Sequence, residues 1–498
     1  MSLPDILNVK PLPTISNMSV DTEVLDPISS SAQEVVFQIP KNGILDGGSF
    51  VSLAVTVPAA LVNADGYSNA FLPMNTGIYG LVRSAQLTVG GKVIASNEDF
   101  GHYATMMRQF ETPEHRAYVE QVKAGTSLDR FGGIGSGRIC PKDLDVIVEA
   151  DDNTGRLETP SFIRPTATDA TTPVFSVPLS FLIPMMRSRQ LPLFGIKEHV
   201  YLRIQFNAQT HGTLGDSYGN ICCFGTMQDA PAGPIPVEVV VSPSLPNIKF
   251  YSDHLYYPQP VMDQTLAQIN SDKGMNFVYE DMILTNTQLP QATDPVAPAI
   301  SNTNVERQIA VSGRIVRNIM IQQKPTGSNH NLLGKYVSHC TTANDTYNMR
   351  INDSRLYDRD LENPARKYNE LAKVLNKPLQ VPSQLYSANA ESDKSRADGL
   401  RQSNSIYIGG INSHVLPTGT ATSRVQDQLS RVSHYLGVDL TTSGFNVLGS
   451  GRKIGTKPIL LQYNRKNTAG DRGAVEMRIF STVERVMMLK SGTVMVSA

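Results

Sequence analysis

The chain alternates short apolar stretches with breaks rich in glycine and proline over most of its length. Val35, Phe37 and Ile39 recur at every second position, and an Asn-Gly dipeptide at residues 42–43 then turns the chain. A strand with one buried face shows this period of two and ends after about five or six residues. The pattern therefore predicts an all-β protein built from sandwiches of short strands.

Strands are predicted in both halves of the chain, whereas helical periodicity is rare. Further strands are predicted at residues 83–89, 174–183, 200–206, 237–241, 248–257, 276–284, 315–322, 347–351, 459–463, 475–480 and 483–489. Apolar residues recur with a period of 3.6 at residues 97–110, where Phe100, Tyr103 and Met107 share one face, and again at residues 364–375. These two segments are predicted to be helices.

The two predicted helices follow similar hairpins. Residues 87–94 (Leu-Thr-Val-Gly-Gly-Lys-Val-Ile) precede the first helix, and residues 349–356 (Met-Arg-Ile-Asn-Asp-Ser-Arg-Leu) precede the second. In each, a dipeptide that tolerates positive φ joins two strands, as the tight turn of a hairpin requires. A second similar pair, residues 200–206 and 475–480, occurs in the same order. We interpret these pairs as a duplicated sandwich.

The length of the chain favours two domains, because single cores stop growing near roughly 250 to 300 residues. We predict an N-terminal arm at residues 1–26, which contains three prolines, a first sandwich at residues 27–257 and a second at residues 258–498. The N-terminus lacks the charged and apolar blocks of a signal peptide, and no apolar stretch approaches the roughly 20 residues that cross a bilayer. We therefore expect a soluble, non-secreted protein.

Charge and cysteine content exclude several function classes. The 44 Lys and Arg nearly cancel the 45 Asp and Glu, and no long run of one sign occurs, so the chain lacks the clustered basic face that neutralises phosphates. Cys140, Cys222, Cys223 and Cys340 fit neither a disulfide framework nor a paired metal spacing. We interpret them as reduced thiols and predict no metal or cofactor site.

Candidate catalytic features are few. The glycine-rich residues 132–137 open no helix and lack the Lys-Ser/Thr of a phosphate-binding loop, so a surface loop is favoured. Acidic residues that could serve hydrolysis or calcium binding form two clusters, Asp143, Asp145, Glu149, Asp151 and Asp152, and then Asp358, Asp360 and Glu362. The second cluster precedes a predicted helix, where acids complement the helix dipole. We interpret both clusters as solvated charges. The nine His are scattered, and the absence of Trp weakens a carbohydrate-binding function.

Several passages resemble the double jelly-roll major capsid proteins of double-stranded DNA viruses, the lineage that includes adenovirus. Residues 177–183 (Val-Pro-Leu-Ser-Phe-Leu-Ile) and 190–196 (Gln-Leu-Pro-Leu-Phe-Gly-Ile), followed by the strand to Phe206, are similar to a passage of that family. Residues 90–94 resemble its first-domain hairpin, and residues 483–497 resemble its closing strand pair around a Ser-Gly.

The modest length of the chain makes it most similar to the proteins of virophages and polinton-like viruses within this family. Residues 445–447 (Phe-Asn-Val) depart from the pattern that is common in the related nucleocytoplasmic large DNA viruses.

The resemblance implies a structural protein with two tandem eight-stranded jelly rolls and no catalytic, cofactor-binding or metal-binding residues. Three chains would form a pseudo-hexagonal homotrimer that tiles an icosahedral shell, in contact with neighbouring capsomers and with penton and minor or cement proteins. Two alternatives stay open. A secreted two-sandwich glycan hydrolase or amidase would need a cleft with two carboxylates and an export signal. Another virion protein, such as a penton or spike, would typically need only one jelly roll.

Overall fold

Strands predominate in the computed structural model of the chain. The structure describes residues 18–31, 33–56, 70–71, 77–108, 123, 174–207, 225–227, 238–240, 244–290, 301–325, 345–362, 364–375, 435–441, 451–467 and 474–497. The all-β prediction is therefore confirmed for this part of the chain.

Twenty-four strands are described, fourteen of them before residue 257. These fourteen are β1 (Ser19–Leu25), β2 (Ser29–Ser30), β3 (Glu34–Ile39), β4 (Ile44–Leu45), β5 (Phe50–Thr56), β6 (Ala70–Phe71), β7 (Val82–Val89), β8 (Lys92–Asn97), β9 (Val174–Pro178), β10 (Leu191–Pro192), β11 (Val200–Phe206), β12 (Gly225–Met227), β13 (Glu238–Val240) and β14 (Ser244–Tyr256). The second half contains β15 (Met275–Leu289), β16 (Ser301–Ile309), β17 (Ile315–Pro325), β18 (Thr346–Ile351), β19 (Ser354–Arg355), β20 (Tyr435–Asp439), β21 (Arg452–Lys453), β22 (Ile459–Asn467), β23 (Val475–Lys490) and β24 (Thr493–Ser497).

Helices are short and connect the strands. They are α1 (Phe100–Arg108), α2 (Leu179–Leu182), α3 (Met185–Ser188), α4 (Gln259–Ile269) and α5 (Pro364–Leu375), with 3-10 turns at Gly77–Leu81 and Leu193–Gly195. The helices α1 and α5 correspond to the two predicted helices, although residues 109–110 of the first prediction lie outside the described residues.

The strands form two pairs of antiparallel sheets and one small three-stranded sheet, β13-β12-β6. Sheet 1 has the order β10-β4-β14-β5-β9 with β1 also paired to β14, and sheet 2 has the order β2-β3-β11-β7-β8. Sheet 3 has the order β15-β23-β17-β20, with β24 on β23 and β21 on β17, and sheet 4 has the order β16-β22-β18-β19.

The strand order of the first half recurs in the second half. The order β1-β14-β5-β9 in sheet 1 matches β15-β23-β17-β20 in sheet 3, and β3-β11-β7-β8 in sheet 2 matches β16-β22-β18-β19 in sheet 4. The helix α1 follows β8 as α5 follows β19. The two predicted hairpin–helix units therefore occupy equivalent places.

The second predicted pair of repeated strands is wrong. By strand order, β11 (Val200–Phe206) corresponds to β22, whereas β23 corresponds to β14. Both β11 and β23 run through the interior of a sheet, and residues 475–479 of β23 alternate between buried and half-buried much as β11 does, so their apolar alternation is alike. Alternation alone does not tell which of two stacked sheets a strand joins.

The predicted tight turns have the expected backbone conformation. Gly90 and Gly91 join β7 to β8 with φ of 56° and 80°, and Asn352 and Asp353 join β18 to β19 with φ of 51° and 67°. Positive φ at both central residues is the signature of a type I′ turn, which matches the twist of paired strands. Gly43, in the first turn predicted from the sequence, also has a positive φ of 55°.

Each pair of sheets encloses an apolar core. Phe37 of sheet 2 and Phe250 of sheet 1 meet with ring centroids 5.8 Å apart, and Ile319 of sheet 3 and Leu461 of sheet 4 belong to a second core. The first core also includes residues of the second half, namely Ile269, Tyr279, Met487, Leu489 and Val494. The two halves are therefore packed together by apolar contacts.

Several predicted boundaries need correction. The strand predicted at residues 174–183 ends at Pro178, because Leu179 and Leu182 turn inward together on the short helix α2. The two strands predicted at 475–480 and 483–489 form one strand, β23, whose Phe480 and Ser481 are buried on opposite faces. The apparent break in alternation at this point reflects two covered faces rather than a turn.

The strand β1 lies inside the segment that we predicted to be an N-terminal arm. Its seven residues pair in register with β14, from Ser19 opposite Tyr256 to Leu25 opposite Phe250. The strand was not predicted because most of its residues are exposed and polar. Val20, Val24 and Leu25 are its only apolar residues, and they do not alternate regularly. Residues 1–17 lie outside the described residues.

Candidate functional site

The acidic cluster before α5 is held in local contacts. The Asp360 carboxylate forms an ion pair with Arg355 and accepts a hydrogen bond from Asn348 Nδ2 at 3.0 Å. Asn348 Nδ2 also donates to the carbonyl oxygen of Tyr357 at 2.9 Å, and the Tyr357 hydroxyl donates to Glu370 Oε2 at 2.9 Å. The cluster at residues 143–152, the glycine-rich residues 132–137 and all four cysteines lie outside the described residues.

Metal-binding geometry is not found in the part of the chain that the structure describes. Within those residues, no group of three or more His, Cys, Asp or Glu side chains is placed to hold a metal ion. Of the histidines there, His199 contacts Gln38 at 3.1 Å, and His102 contacts Asp99 at 2.7 Å. These contacts tie neighbouring elements together.

One serine and one histidine lie at a distance that suits nucleophilic catalysis. Ser252 Oγ and His254 Nε2 are 2.9 Å apart, and His254 Nδ1 lies 2.9 Å from the carbonyl oxygen of Asn42. Both side chains are completely buried. A nucleophile without access to substrate cannot act, so this pair joins β14 to the turn before β4.

A cleft lies between α4 and the edge of β15. It has a volume of about 1110 Å³, and its lining includes Val261, Met262 and Phe277. Asp46 contributes the one carboxylate of the lining, and it is engaged by Gly48 N at 3.0 Å and Gln190 Nε2 at 2.8 Å. Glycoside hydrolysis requires two carboxyl groups, so this lining does not support it.

The contact between the two halves is built on the edge of sheet 3. Tyr279 of β15 donates its hydroxyl proton to the carbonyl oxygen of Ile94 in β8 at 2.5 Å. Asp281 accepts from Ser96 N at 3.3 Å and from Arg485 Nη1 at 2.7 Å. Burial raises the pKa of Asp281, although Arg485 opposes this effect. The first strand of the second half is thus fixed to the β8 edge of the first half.

An ion pair continues this contact at the start of α1. Asp99 Oδ2 accepts from Arg478 Nε of β23 at 2.8 Å, and Asp99 Oδ1 lies 2.7 Å from His102 Nδ1. Burial alone would raise the pKa of Asp99, but His102 and Arg478 outweigh it and hold that pKa well below its usual range. The carboxylate therefore stays charged and links the two halves.

Apolar side chains from both halves then cover the outward face of sheet 3. Tyr103 and Met106 of α1 form one buried cluster with Leu371 of α5 and with Phe480 on the sheet. The rings of Tyr103 and Phe480 lie 6.0 Å apart. We call this group, with Met282, Met320 and Tyr435, the bridging cluster. It makes sheet 3 buried on both faces.

The outward face of sheet 1 is different. Val20 and Val24 of β1 are 57% and 50% exposed, and Val174 of β9 is 59% exposed. Between them, Phe50 and Tyr251 stack with ring centroids 4.7 Å apart and remain partly exposed. Among the described residues, none of the buried apolar clusters joins a helix to this face. This exposure distinguishes the outward face of sheet 1 from that of sheet 3.

Sequence reasoning missed most residues of these surfaces. Asp99 lies in the first turn of the predicted helix, where acids complement the helix dipole, and this was the one available signal. Arg478 and Tyr279 lie on strands whose partners are far away in sequence, so nothing local marks them. In the described residues, no helix is long and apolar enough to cross a membrane.

Comparison with known proteins gives a consistent result. Residues 17–257 match the family model described as "Major capsid protein N-terminus". No curated protein sequence is a significant match to the chain.

Solved structures with the same fold come from several viruses. The structure of the Sputnik virophage is matched with a TM-score of 0.53 and 13% identity over 96% of this chain and 88% of that chain. The PBCV-1 virus capsid is matched with a TM-score of 0.52 and 11% identity over 97% of both chains. The mavirus major capsid protein is matched with a TM-score of 0.50 and 10% identity over 100% of this chain and 95% of that chain.

Structural matches at such low sequence identity show a shared fold. The shared fold extends over nearly the whole chain and agrees with the repeated strand order. The family model matches residues 17–257, slightly less than half of the chain. The chain therefore has the double jelly-roll fold of these capsid structures, and its residues 17–257 match the N-terminal part of major capsid proteins.

Proposed function

We propose that three copies of the chain form a pseudo-hexagonal homotrimer that tiles an icosahedral shell around a double-stranded DNA genome. The observation that carries the proposal is the repeated strand order of sheets 1 and 2 in sheets 3 and 4. Two similar sandwiches in each of three chains give six similar bodies around one axis. A head-to-tail interface that closes after three copies produces such a ring.

The proposal assigns one jelly roll of eight strands to residues 27–257, together with β1, and a second to residues 258–498. In the described ranges, every strand pairing joins strands of the same half. The helix α4 begins two residues after residue 257, and its residues are exposed or half-buried except for Ile269, as in a linker helix. The N-terminal arm is proposed to comprise the residues before β1.

We propose neighbouring capsomers, penton proteins and minor or cement proteins as further partners, and no direct role in binding nucleic acid. The net charge of −1 supports this last point, since phosphate binding needs an excess of clustered cations. We also propose that the chain has no enzymatic activity. The local contacts of Asp360 and the burial of Ser252 and His254 support a structural function.

The test is the mass and shape of the purified protein. Sedimentation equilibrium over a hundredfold dilution should give three times the 54.4 kDa mass of the chain. Negative-stain microscopy should show three-lobed particles with a nearly hexagonal outline. Obligate interfaces commonly bury roughly 2,000 to 5,000 Å², so subunit stability should depend on assembly. A stable monomer that unfolds reversibly at a concentration-independent temperature would refute the proposal.

Enzymatic activity can be tested separately. We expect wild type to hydrolyse glycan and amide substrates no faster than the uncatalysed background. Alanine replacement of Asp143, Asp145, Asp358 or Asp360 should therefore leave the measured hydrolysis rate unchanged. A hydrolase activity that one of these changes abolishes would contradict the structural function.

A further inference from the structure

The cleft between α4 and the edge of β15 has a largely apolar lining. Val261 on α4 and Val278 on β15 are 39% and 49% exposed, and Met262 and Phe277 belong to the same lining. Contact between a continuous apolar surface and water is unfavourable, and such surfaces commonly mark places where another segment or protein binds. The cleft is therefore a candidate docking surface.

The charged side chains of this lining are already engaged. Arg187 Nε donates to the carbonyl oxygen of Ser180 at 3.1 Å, and Arg189 Nε donates to the carbonyl oxygen of Val278 at 2.9 Å. Asp46, the third charged residue of the lining, accepts two hydrogen bonds. A segment that binds in the cleft therefore needs apolar side chains more than charges.

The strand β15 gives the cleft a wall of main-chain groups. It is the terminal strand of sheet 3, and within the described ranges it pairs only with β23. The main chain of residues 275–278 lines the cleft along this strand. Strand edges of this kind favour an extended segment that lies along them. The geometry thus suits an extended, largely apolar segment.

The N-terminal arm starts beside the cleft. The strand β1 begins at Ser19, opposite Tyr256 at the spacing of paired strands, which is about 5 Å, and the next residue, Tyr257, lines the cleft. Residues 1–17 can span about 55 Å when extended. The helix α4 has eleven residues, so that its length is about 16 Å. The arm is therefore long enough to lie along the whole cleft.

The sequence of the arm suits the lining. Residues 5–10 (Asp-Ile-Leu-Asn-Val-Lys) stand between prolines at positions 4 and 11. Six residues are too few for a stable helix, and the residue before a proline avoids the helical region, so an extended conformation is favoured. Side chains of an extended segment point alternately to opposite sides. Leu7 and Val9 thus share one side, and Asn8 and Lys10 lie on the other.

We propose that residues 5–10 of the N-terminal arm dock in the cleft of the same chain, with Leu7 and Val9 turned toward its lining. A segment that is tethered beside its site has an effective concentration in the mM range, so it competes well with untethered partners. Docking covers the exposed apolar side chains and joins the beginning of the chain to α4 and β15. It needs one copy only, so it goes beyond the proposed trimer.

The first experiment measures how fast a maleimide labels a cysteine in the cleft. Val261→Cys is compared with Val93→Cys on β8, because the two valines are 39% and 42% exposed. Each change is made in the full-length chain, with the wild-type arm and with the arm variant Leu7→Asp/Val9→Asp. Mass spectrometry of peptides follows each introduced cysteine separately from the four native ones.

The arm variant should label faster only in the cleft. The rate at Val261→Cys should rise about tenfold, as expected if the wild-type arm occupies the cleft about nine-tenths of the time. The rate at Val93→Cys should be the same with both arms. Far-UV circular dichroism should be unchanged, since the arm variant alters none of the described strands or helices.

The second experiment identifies the segment that occupies the cleft. The photoreactive residue p-benzoylphenylalanine is introduced in place of Leu7 and, as a control, in place of Asn8. Irradiation should link the first to α4 or to residues 275–278 within one chain, so that the product keeps the mass of a single chain on a denaturing gel. The control points to the opposite side and should link these residues much less.

The outcomes separate this proposal from the proposed trimer. Equal labelling rates at Val261→Cys with both arms would overturn it, as would links from position 7 to other parts of the chain. Links to the cleft that join two chains would show an arm exchanged between copies and would overturn docking within one chain. Sedimentation of wild type and of the arm variant should give the same mass, so a monomeric wild type would count against the trimer alone.

Discussion

The helices α1 and α5 follow the same hairpin in the two halves, yet α1 packs on a sheet of the other half and α5 packs on a sheet of its own half. The helix α1 contributes Phe100 to the core of the first half and Tyr103 to the bridging cluster on sheet 3. The helix α5 lays Leu371 on the same sheet, over Gly437. Both helices thus cover sheet 3, and sheet 1 keeps an exposed outward face.

This difference shows which parts of a duplicated fold are held constant. Strand order is fixed by long antiparallel ladders, such as the pairing of β15 with β23 over fifteen residues, and a shift of one residue would turn every side chain to the wrong face. Helices in the connections are not constrained in this way. Their side chains are therefore available for contacts between sandwiches.

The largest effect is expected at the centre of the bridging cluster. Replacing fully buried Phe480 by Ala should lower the free energy of unfolding by about 3–5 kcal/mol, because it removes a large side chain from between two helices and a sheet. Phe50→Ala, on the partly exposed outward face of sheet 1, should cost clearly less in a single chain. Urea unfolding at fixed protein concentration measures both. Equal losses would contradict the difference between the two faces.

Gly437 provides a second test of the covered face. A Cβ atom there would lie 2.9 Å from Leu371 Cδ1 and 3.0 Å from Leu371 Cα, so Gly437→Ala must push α5 away from β20. Overpacking of this kind typically costs about 1–3 kcal/mol. The control is Ser176→Ala on β9, the strand that corresponds to β20. Thermal unfolding of both variants should show a loss for Gly437→Ala and little change for the control.

Much of the fold could be predicted from the sequence because the signals are local. The Gly90-Gly91 and Asn352-Asp353 dipeptides mark the two hairpins, and both have the positive φ values that such turns need. The helix α5 was predicted at its observed bounds, since its apolar residues follow the 3.6-residue period. These features depend on residues that are close in the chain.

The parts of the fold that were not predicted depend on residues that are far apart in the sequence. The strand β1 and the helix α4 are largely exposed in the single chain, so they lack the alternation or periodicity that burial produces. The strand β23 is covered on both faces near Phe480, and this hid its continuity. The bridging cluster joins α1 to β23 across more than half the chain. No local pattern encodes such a contact.

The Asp99–Arg478 pair tests the contact between the halves through its pH dependence. The pKa of Asp99 is lowered in the folded state. The Asp99 carboxylate therefore contributes to the free energy of unfolding above the ordinary pKa of an aspartate, and this contribution is lost as pH falls below that value. Asp99→Asn should therefore cost about 1.5 kcal/mol near pH 7, the size of a hydrogen bond to a charged group. Its stability should approach that of wild type as pH falls below about 4. Urea midpoints at several pH values measure this convergence, and a constant difference would argue against it.

The smallest effect is expected at Asp360, which lies between β19 and α5 as Asp99 lies between β8 and α1. Asp99 and Arg478 are 23% and 14% exposed and join the two halves, whereas Asp360 and Arg355 are 40% and 45% exposed and lie five residues apart. Solvent screens the second pair, and exposed pairs are typically worth about 0.2–1 kcal/mol. Asp360→Ala should therefore change the free energy of unfolding by less than about 1 kcal/mol, and added salt should reduce even this difference. If Asp360→Ala lowered the free energy of unfolding as much as Asp99→Asn under the same conditions, the two ion pairs would stabilise the protein equally. The two halves would then be more alike than their packing indicates.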